Sequence, residues 1–342
     1  MAVQNGSGGI SSDPNANSAL GGIERWIKNR DSTKNNNLVA AVVGCGESEN
    51  SYDRENYLQR LGNMGSSILT GILAANSLPD ARDNTPVSHI IACTKSEASA
   101  SRVYSASKDS KAADRLAVFY DNNLKAFQLA DVIILACKPY MAEEVLGAPG
   151  VGDALANKLV ISVLAGSTTE QLKEFAFKGS SDTKGCAFVR SMPNLGAQIK
   201  ESSTVISTGS ETISPKYEEA MKWIFQSIGQ YTYVPDNVFQ VAGVLAGCTP
   251  AWFLTAFDGI LDGAVSEGMR RDTATEILAG SMLAAAKLIQ NGEHPAVLRE
   301  KVSSPKGTTI QGLKTIEKGG VRSTYCDATI DSVQHGLNMG KK

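Results

Sequence analysis

The stretch AAVVGCGESENSYDRENYLQRLGNMGSSILTGILAA, residues 40–75, decides how the chain is read. It opens as a buried β-strand and closes as an apolar helix. These are the first two elements of a nucleotide-binding fold, in which a short glycine turn joins them. Here polar residues interrupt the turn. Without residues 47–62 the stretch becomes VVGCGNMGSSIL, a G-x-G-x-x-G pattern of Gly44, Gly46 and Gly65. In that pattern Gly44 makes the turn, Gly46 lets a pyrophosphate approach the backbone, and Gly65 lets helix and strand pack closely. Asn63 and Met64 belong to the same cofactor loop, and the helix start offers N–H groups and a favourable dipole to phosphate.

Residues 47–61 admit three readings: a surface loop with its own function, a neutral insertion, or a translated intron. The codons favour the third. Gly46-Glu47-Ser48 can be written GGT GAG TCN, which contains the splice-donor sequence GTGAGT, and Leu61-Gly62 can be written TTA GGN, which contains a TAG acceptor. Excision between them keeps the frame and leaves one glycine. The segment ESENSYDRENYLQRL is polar and lacks the patterning of its flanks.

The rest of the 342-residue chain is that of a soluble globular protein of one large or two ordinary domains, 42% hydrophobic and 20% charged. A net charge of −2 gives no electrostatic reason to expect nucleic acid or an anionic membrane as partner. No apolar run suggests a membrane span, and the Gly/Ser/Asn-rich start lacks the order of a secretory signal. Six scattered cysteines show no CxxC, and three lie in apolar strand-like runs where a thiol is buried; the compartment reads as reducing and cytoplasmic, with no disulfide or metal site expected. There is no HExxH and no GxSxG to support zinc or serine hydrolysis.

Residues 1–36 read as a disordered tail. Residues 37–235 alternate strand-like runs (LVAAVVG, HIIACT, LAVFY, DVIILAC, KLVISVLAG) with helix-like segments, the pattern of a right-handed parallel α/β sheet. Ser167 and Glu170 form a potential capping box. Ser214 and Pro215 are suited to start a helix that Gly229 would end. Residues 236–337 are almost wholly helix-like, Ala/Gly/Leu-rich, and apolar around much of each helix. Such helices need more partner surface than one small domain supplies, which points to a homodimer or higher homo-oligomer. The fold class expected is thus α/β, a Rossmann-type parallel sheet domain followed by an all-helical dimerisation domain.

An NAD-preferring sheet usually ends its second strand in an acidic residue that holds the ribose 2′-hydroxyl. Here the strand ends in Thr94, Lys95 and Ser96, with Arg102 a little further on. Hydroxyl and cationic groups suit a 2′-phosphate, so NADP is expected, with NADPH preferred over NADH.

Five segments together carry a family resemblance: GCG…NMGSSIL, ADVIILACKPY, VISVLAG, RSMPN and, most specific, LREKVSSPKGTTIQGLKTIE. The chain resembles pyrroline-5-carboxylate reductase over residues 38–335. The resemblance implies an enzyme that reduces L-1-pyrroline-5-carboxylate to L-proline with NAD(P)H, the last step of proline biosynthesis, with an active site shared between two subunits. It places Asn123, Ala136, Lys138 and Pro139 at the NADP site and Met192, Pro193 and Asn194 near the nicotinamide. It also places Ser304, Gly307, Thr308 and Thr309 at the substrate carboxylate, with Ser304 and Thr309 as the candidate catalytic residues. Taken alone, Thr308 and Thr309 also read as plain helix N-caps. The chain departs from the family pattern at the glycine loop, at AGCTPAW (Cys248, Thr249, Trp252), and at Lys306-Gly307, where the family carries a glycine pair. A non-catalytic scaffold disabled by the insertion, or a related imine or hydroxyacid dehydrogenase, are the alternative functions.

Overall fold

Every residue of the run Leu38–Val43 is buried, and the run has no polar break. Such a strand belongs inside a parallel sheet covered on both faces. The computed structural model describes residues 14–29, 38–44, 64–78, 85–180, 182–209 and 211–339. Strands β1 (Leu38–Val43), β2 (Val87–Thr94), β3 (Leu116–Tyr120), β4 (Val132–Leu135), β5 (Leu159–Ser162), β6 (Ala187–Met192), β7 (Ser202–Ser207) and β8 (Gly229–Val234) form one eight-stranded sheet in the order β3-β2-β1-β4-β5-β6-β7-β8. Neighbours are parallel except β6 and β7, which pair antiparallel. The direction of strand addition reverses between β1 and β4, where doubly wound sheets bind ligands beyond the carboxyl ends of their strands.

Helices cover both faces: α1 (Pro14–Asn29), α2 (Met64–Asn76), α3 (Glu97–Ser107), α4 (Asn123–Leu129), α5 (Ala142–Leu146), α6 (Val151–Ala154), α7 (Thr169–Phe177), α8 (Pro215–Gln226) and α9 (Asp236–Gly247). The pleat divides β1 between two cores. Leu38, Ala40 and Val42 join Ile68 and Ile72 of α2 and Met221 and Ile224 of α8. Val39, Ala41 and Val43 join Phe127 of α4, Leu146 of α5 and Leu172 of α7 on the other face.

Several local expectations need correction. Within the supposed disordered tail, residues 14–29 form α1. Ile23, Trp26 and Ile27 share one face of it, with Ile23 fully buried and the other two packed on the sheet. That i, i+3, i+4 stripe lies hidden in a Gly/Ser/Asn-rich context. The capping box of α7 is Thr168 with Gln171, one residue past Ser167 and Glu170: Gln171 N–H donates to Thr168 Oγ1 and Thr168 N–H to Gln171 Oε1. Ser214 and Pro215 do start α8, yet the Ser214 hydroxyl makes no cap bond, and the helix closes at Ser227. Gly229 instead begins β8 with φ +147°, where a side chain would run into the backbone of Ser202.

By its contacts the chain forms two compact units, Met1–Gly247 with Leu337–Lys342, and Cys248–Gly336. The division falls twelve residues beyond the expected boundary at 235/236, because α9 lays Phe239 and Ala246 against Val205 of β7. The second unit is helical: α10 (Thr249–Ser266), α11 (Arg271–Gln290), α12 (Pro295–Lys301), α13 (Thr308–Lys318) and α14 (Val321–Met339). Leu261 is the buried residue of α10 and Ala274 that of α11. Phe253, Leu254, Ile260, Ile277 and Leu283 stand exposed on one chain. Contrary to the sequence expectation, residues Asp236–Ser266 are long and apolar enough to cross a membrane, by length and composition only, with a stretch of 18 residues inside them at a mean hydropathy of 1.4. The same apolarity is what an interface between copies requires.

Candidate cofactor and substrate sites

The candidate cofactor cleft is built from the carboxyl ends of β1, β2, β3, β4 and β5. It has a volume of about 450 Å³ and is lined by Gly44, Met64, Thr94, Lys95, Asn123, Ala136, Lys138 and Pro139 among the residues expected from sequence. Gly44 takes φ +98°, a conformation that side chains rarely tolerate, and a Cβ there would overlap Ala136 and the Cys137 nitrogen. Gly65 sits behind the cleft, where a Cβ would meet the Ala136 Cβ and the Gly44 carbonyl oxygen at 3.1 Å each. The two glycines on either side of the interruption therefore lie against one another, and each has the task its place in the motif requires. Gly46, Asn63 and the insertion 47–61 lie outside the described residues. Helix α2 starts at Met64 with no acidic side chain in its first turn, which leaves its N-terminal dipole free for an anion.

The rim at β2 and β3 differs from the sequence reading. Thr94 is buried, and its one hydroxyl proton is shared between the carbonyls of Ser96 (2.9 Å) and Phe119 (3.3 Å), so it is occupied in holding the turn. Ser96 caps α3, accepting from Ser99 N–H at 3.3 Å. Lys95 donates to Glu144 Oε1 at 2.7 Å, and Asp121 Oδ1 lies 3.8 Å from the same ammonium. The hydrogen bond to Glu144 is the first cause that raises the Lys95 pKa above the ordinary lysine value. Arg102 donates to Ser99 Oγ at 2.9 Å. Asp121 and Ser99 also line the cleft, and sequence reasoning missed both. The end of β2 carries no acidic group, but Thr94 pairs with Tyr120, and that register brings Asp121, the first residue past β3, beside Lys95, the first past β2. The segment Val163–Ala165 beyond β5 was likewise missed, although the carboxyl ends of parallel strands are where ligands are sought. Cys137 completes the wall, and burial pushes its thiol up to about 11, so it stays protonated and adds no negative charge beside a phosphate.

Met192, Pro193 and Asn194 do not line this cleft. Met192 packs against α9, where a Cβ on Gly243 would stand 2.6 Å from its sulfur. The Asn194 amide donates to the Ala246 carbonyl at 2.9 Å and accepts from Gly196 N–H at 3.0 Å, so its polar atoms are already engaged in joining the loop after β6 to α9.

In the second unit the sequence SSPKG makes a turn in which Gly307 N–H donates to the Ser304 carbonyl at 3.0 Å. Lys306, which replaces the first glycine of the family's pair, adopts the left-handed φ of +61° that favours glycine. A Cβ on Gly307 would overlap the Ser304 hydroxyl, so these two side-chain positions are packed closely. Gly307 is the N-cap of α13, and no side chain caps the helix. Thr308 and Thr309, at its first two positions, are exposed and do not cap it, which removes the plain capping reading for both.

A mostly parallel sheet with a glycine-lined cleft at its switch point is the arrangement of a dinucleotide-binding fold. Residues 61–166 match the family described as NADP oxidoreductase, coenzyme F420-dependent, a match that starts only where the insertion ends. Residues 236–339 match the pyrroline-5-carboxylate reductase dimerisation family. The chain is 36% identical to a pyrroline-5-carboxylate reductase of Lophium arboricola over 318 residues, 89% of this chain and 94% of that one. It is 35% identical to the pyrroline-5-carboxylate reductase of Neurospora crassa, covering 85% and 90% of the two chains. Its fold matches the crystal structure of Plasmodium falciparum pyrroline carboxylate reductase with NADP bound, with a TM-score of 0.68 at 22% identity over 90% of this chain and all of that one. The chain belongs to the pyrroline-5-carboxylate reductase family.

Proposed function

We propose that this chain reduces L-1-pyrroline-5-carboxylate to L-proline, the last step of proline biosynthesis, with NADPH preferred over NADH. The family assignment across both units carries this reading, and the glycine cleft supports it: at Gly44 and Gly65 a Cβ would run into Ala136 and its neighbours, so only glycine lets strand and helix close together beside the cleft. When bound, the reduced nicotinamide supplies the hydride that the imine carbon receives. The chain binds and orients the reactants. Gly44 and the start of α2 hold the pyrophosphate, Lys95 and the start of α3 face the 2′-phosphate, and Lys138 adds a cation at the end of β4. Ser304, the Gly307 turn and the N–H and hydroxyl groups of Thr308 and Thr309 hold the substrate carboxylate. Positioning of this kind supplies much of the acceleration without a dedicated acid, because the ring nitrogen of a cyclic imine is readily protonated before attack.

The protein works as a homodimer, in which the exposed apolar residues of α10 and α11 are covered by a second copy. The described cysteines are free thiols, which fits a reducing, cytoplasmic setting. The test is NADPH oxidation followed at constant protein concentration with and without pyrroline-5-carboxylate, repeated with NADH. Substrate-dependent oxidation with a higher kcat/KM for NADPH is expected. No substrate-dependent oxidation with either cofactor returns the chain to the scaffold reading, and equal or higher kcat/KM with NADH removes the NADPH preference.

A further inference from the structure

The cofactor cleft carries both signs of charge at the point where a 2′-phosphate would dock. Lys95, the first residue after β2, is held by the Glu144 carboxylate at 2.7 Å, with Asp121 at 3.8 Å. Glu144 comes from α5, forty-nine positions along the chain, so the pair reaches from the end of β2 across to the helix that follows β4. Lys95 and Asp121 line the cleft, and Glu144 lines a separate groove. The carboxylate is not among the groups that line the cleft; it acts on one that is, through its bond to the Lys95 ammonium. All three side chains are more than half exposed, so the pair exchanges readily and its opening is a small but definite cost to any ligand that claims Lys95.

We propose that Glu144 is a specificity-determining residue: it competes with the cofactor 2′-phosphate for Lys95 and so keeps the discrimination between NADPH and NADH modest. The inference rests on the NADPH preference proposed above. NADH has no 2′-phosphate and does not need to displace the pair, so the competition falls on NADPH alone. Asp121 contributes a weaker hold on the same ammonium at its longer distance.

The test measures dissociation constants for NADPH and NADH by fluorescence titration, independent of turnover, on four forms: the full chain, Glu144→Gln, Lys95→Met and the double variant. Both positions are exposed, and thermal unfolding checks that all four forms are folded. Glu144→Gln should tighten NADPH up to about fivefold, the range of an exposed ion pair, and leave NADH within twofold. In the Lys95→Met background the same change should do nothing, because the cation it acts through is gone. An unchanged NADPH affinity in Glu144→Gln overturns the proposal. So does an equal gain in the Lys95→Met background, which would mean that Glu144 repels phosphate through space. If Lys95→Met itself leaves the ratio of NADPH to NADH affinity unchanged, the role of Lys95 in cofactor preference fails first, and that outcome is distinct from the other two.

Discussion

Deleting residues 47–62 should strengthen NADPH binding at least tenfold and leave the fold intact or slightly more stable. Gly44 and Gly65 already meet, with the Gly44 carbonyl oxygen 3.1 Å from where a Gly65 Cβ would stand. The connection between them therefore needs to span very little distance. Deletion shortens it from twenty residues to four, the length in the uninterrupted motif. At roughly 0.6 kcal/mol per doubling of a flexible loop, that fivefold shortening favours the folded state by about 1.4 kcal/mol. The gain in binding has a different source. The pyrophosphate is held by N–H groups in a fixed array, and one hydrogen bond to a charged group contributes roughly 1.5–3 kcal/mol, a factor of ten or more in affinity. Removal of Glu47, Glu49, Asp53 and Glu55 also takes four carboxylates away from the sequence beside a polyanion site. The assay pairs NADPH fluorescence titration with thermal unfolding of the full and deleted chains. Equal NADPH affinity in both, or loss of activity on deletion, would show that the insertion is a working part of the protein and that the interrupted motif is not its cofactor loop.

Two further predictions follow from the geometry. Thr309→Ala should raise the KM for pyrroline-5-carboxylate by about tenfold or more, the worth of one bond to a charged group, with NADPH affinity and thermal stability unchanged because Thr309 caps nothing; a lower melting temperature with unchanged KM would reassign it to a structural role. The His89 ring packs at a tilt of 41° against Trp26 of α1, with ring centres 4.5 Å apart, and burial is the first cause that lowers its pKa to about 4. Between pH 4 and about 6.5 the unfolded chain therefore binds more protons at this site than the folded one, so stability should rise with pH across that window and level off above it. The ring is only partly buried, so the contribution is on the order of 1 kcal/mol. Urea unfolding of His89→Gln should show a flatter pH dependence over the same window, and an unchanged slope would remove the residue from the linkage.

The parts of this fold that could be read from sequence are those governed by burial. LVAAVV, DVIILAC and KLVISVLAG are continuous apolar runs because both faces of their strands are covered, and the all-round apolar helices after residue 248 stand exposed on one chain as their composition requires. What escaped was set by contacts between distant segments. Helix α1 has a single narrow apolar stripe that becomes informative only once the sheet is there to receive it. The capping box lies one residue on because Ser167-Glu170 and Thr168-Gln171 satisfy the same spacing rule, so the sequence pattern alone does not choose between them. Asp121 and Glu144 reach Lys95 through strand register and helix placement, which no local pattern records.

The interrupted glycine motif separates these two kinds of information. Gly44 is required by its own φ of +98° and by Ala136 and Cys137 across the sheet, and Gly65 by Ala136 and by Gly44. Each requirement is a pairwise contact that holds whatever number of residues lies between the two glycines, so strand, helix and their approach survive the insertion and remain readable on either side of it. Phosphate binding differs in kind. It depends on several N–H groups that point at one place together, and a donor that is free to move gives up most of its contribution to the cost of ordering it. The family match begins at residue 61, the last of the insertion, while β1 still pairs with β2 over Leu38–Val43 and with β4 over Ala40–Val43. The fold tolerates the inserted residues because its constraints are local and redundant; the cofactor site is where their presence should be felt, because its donors work only as a set.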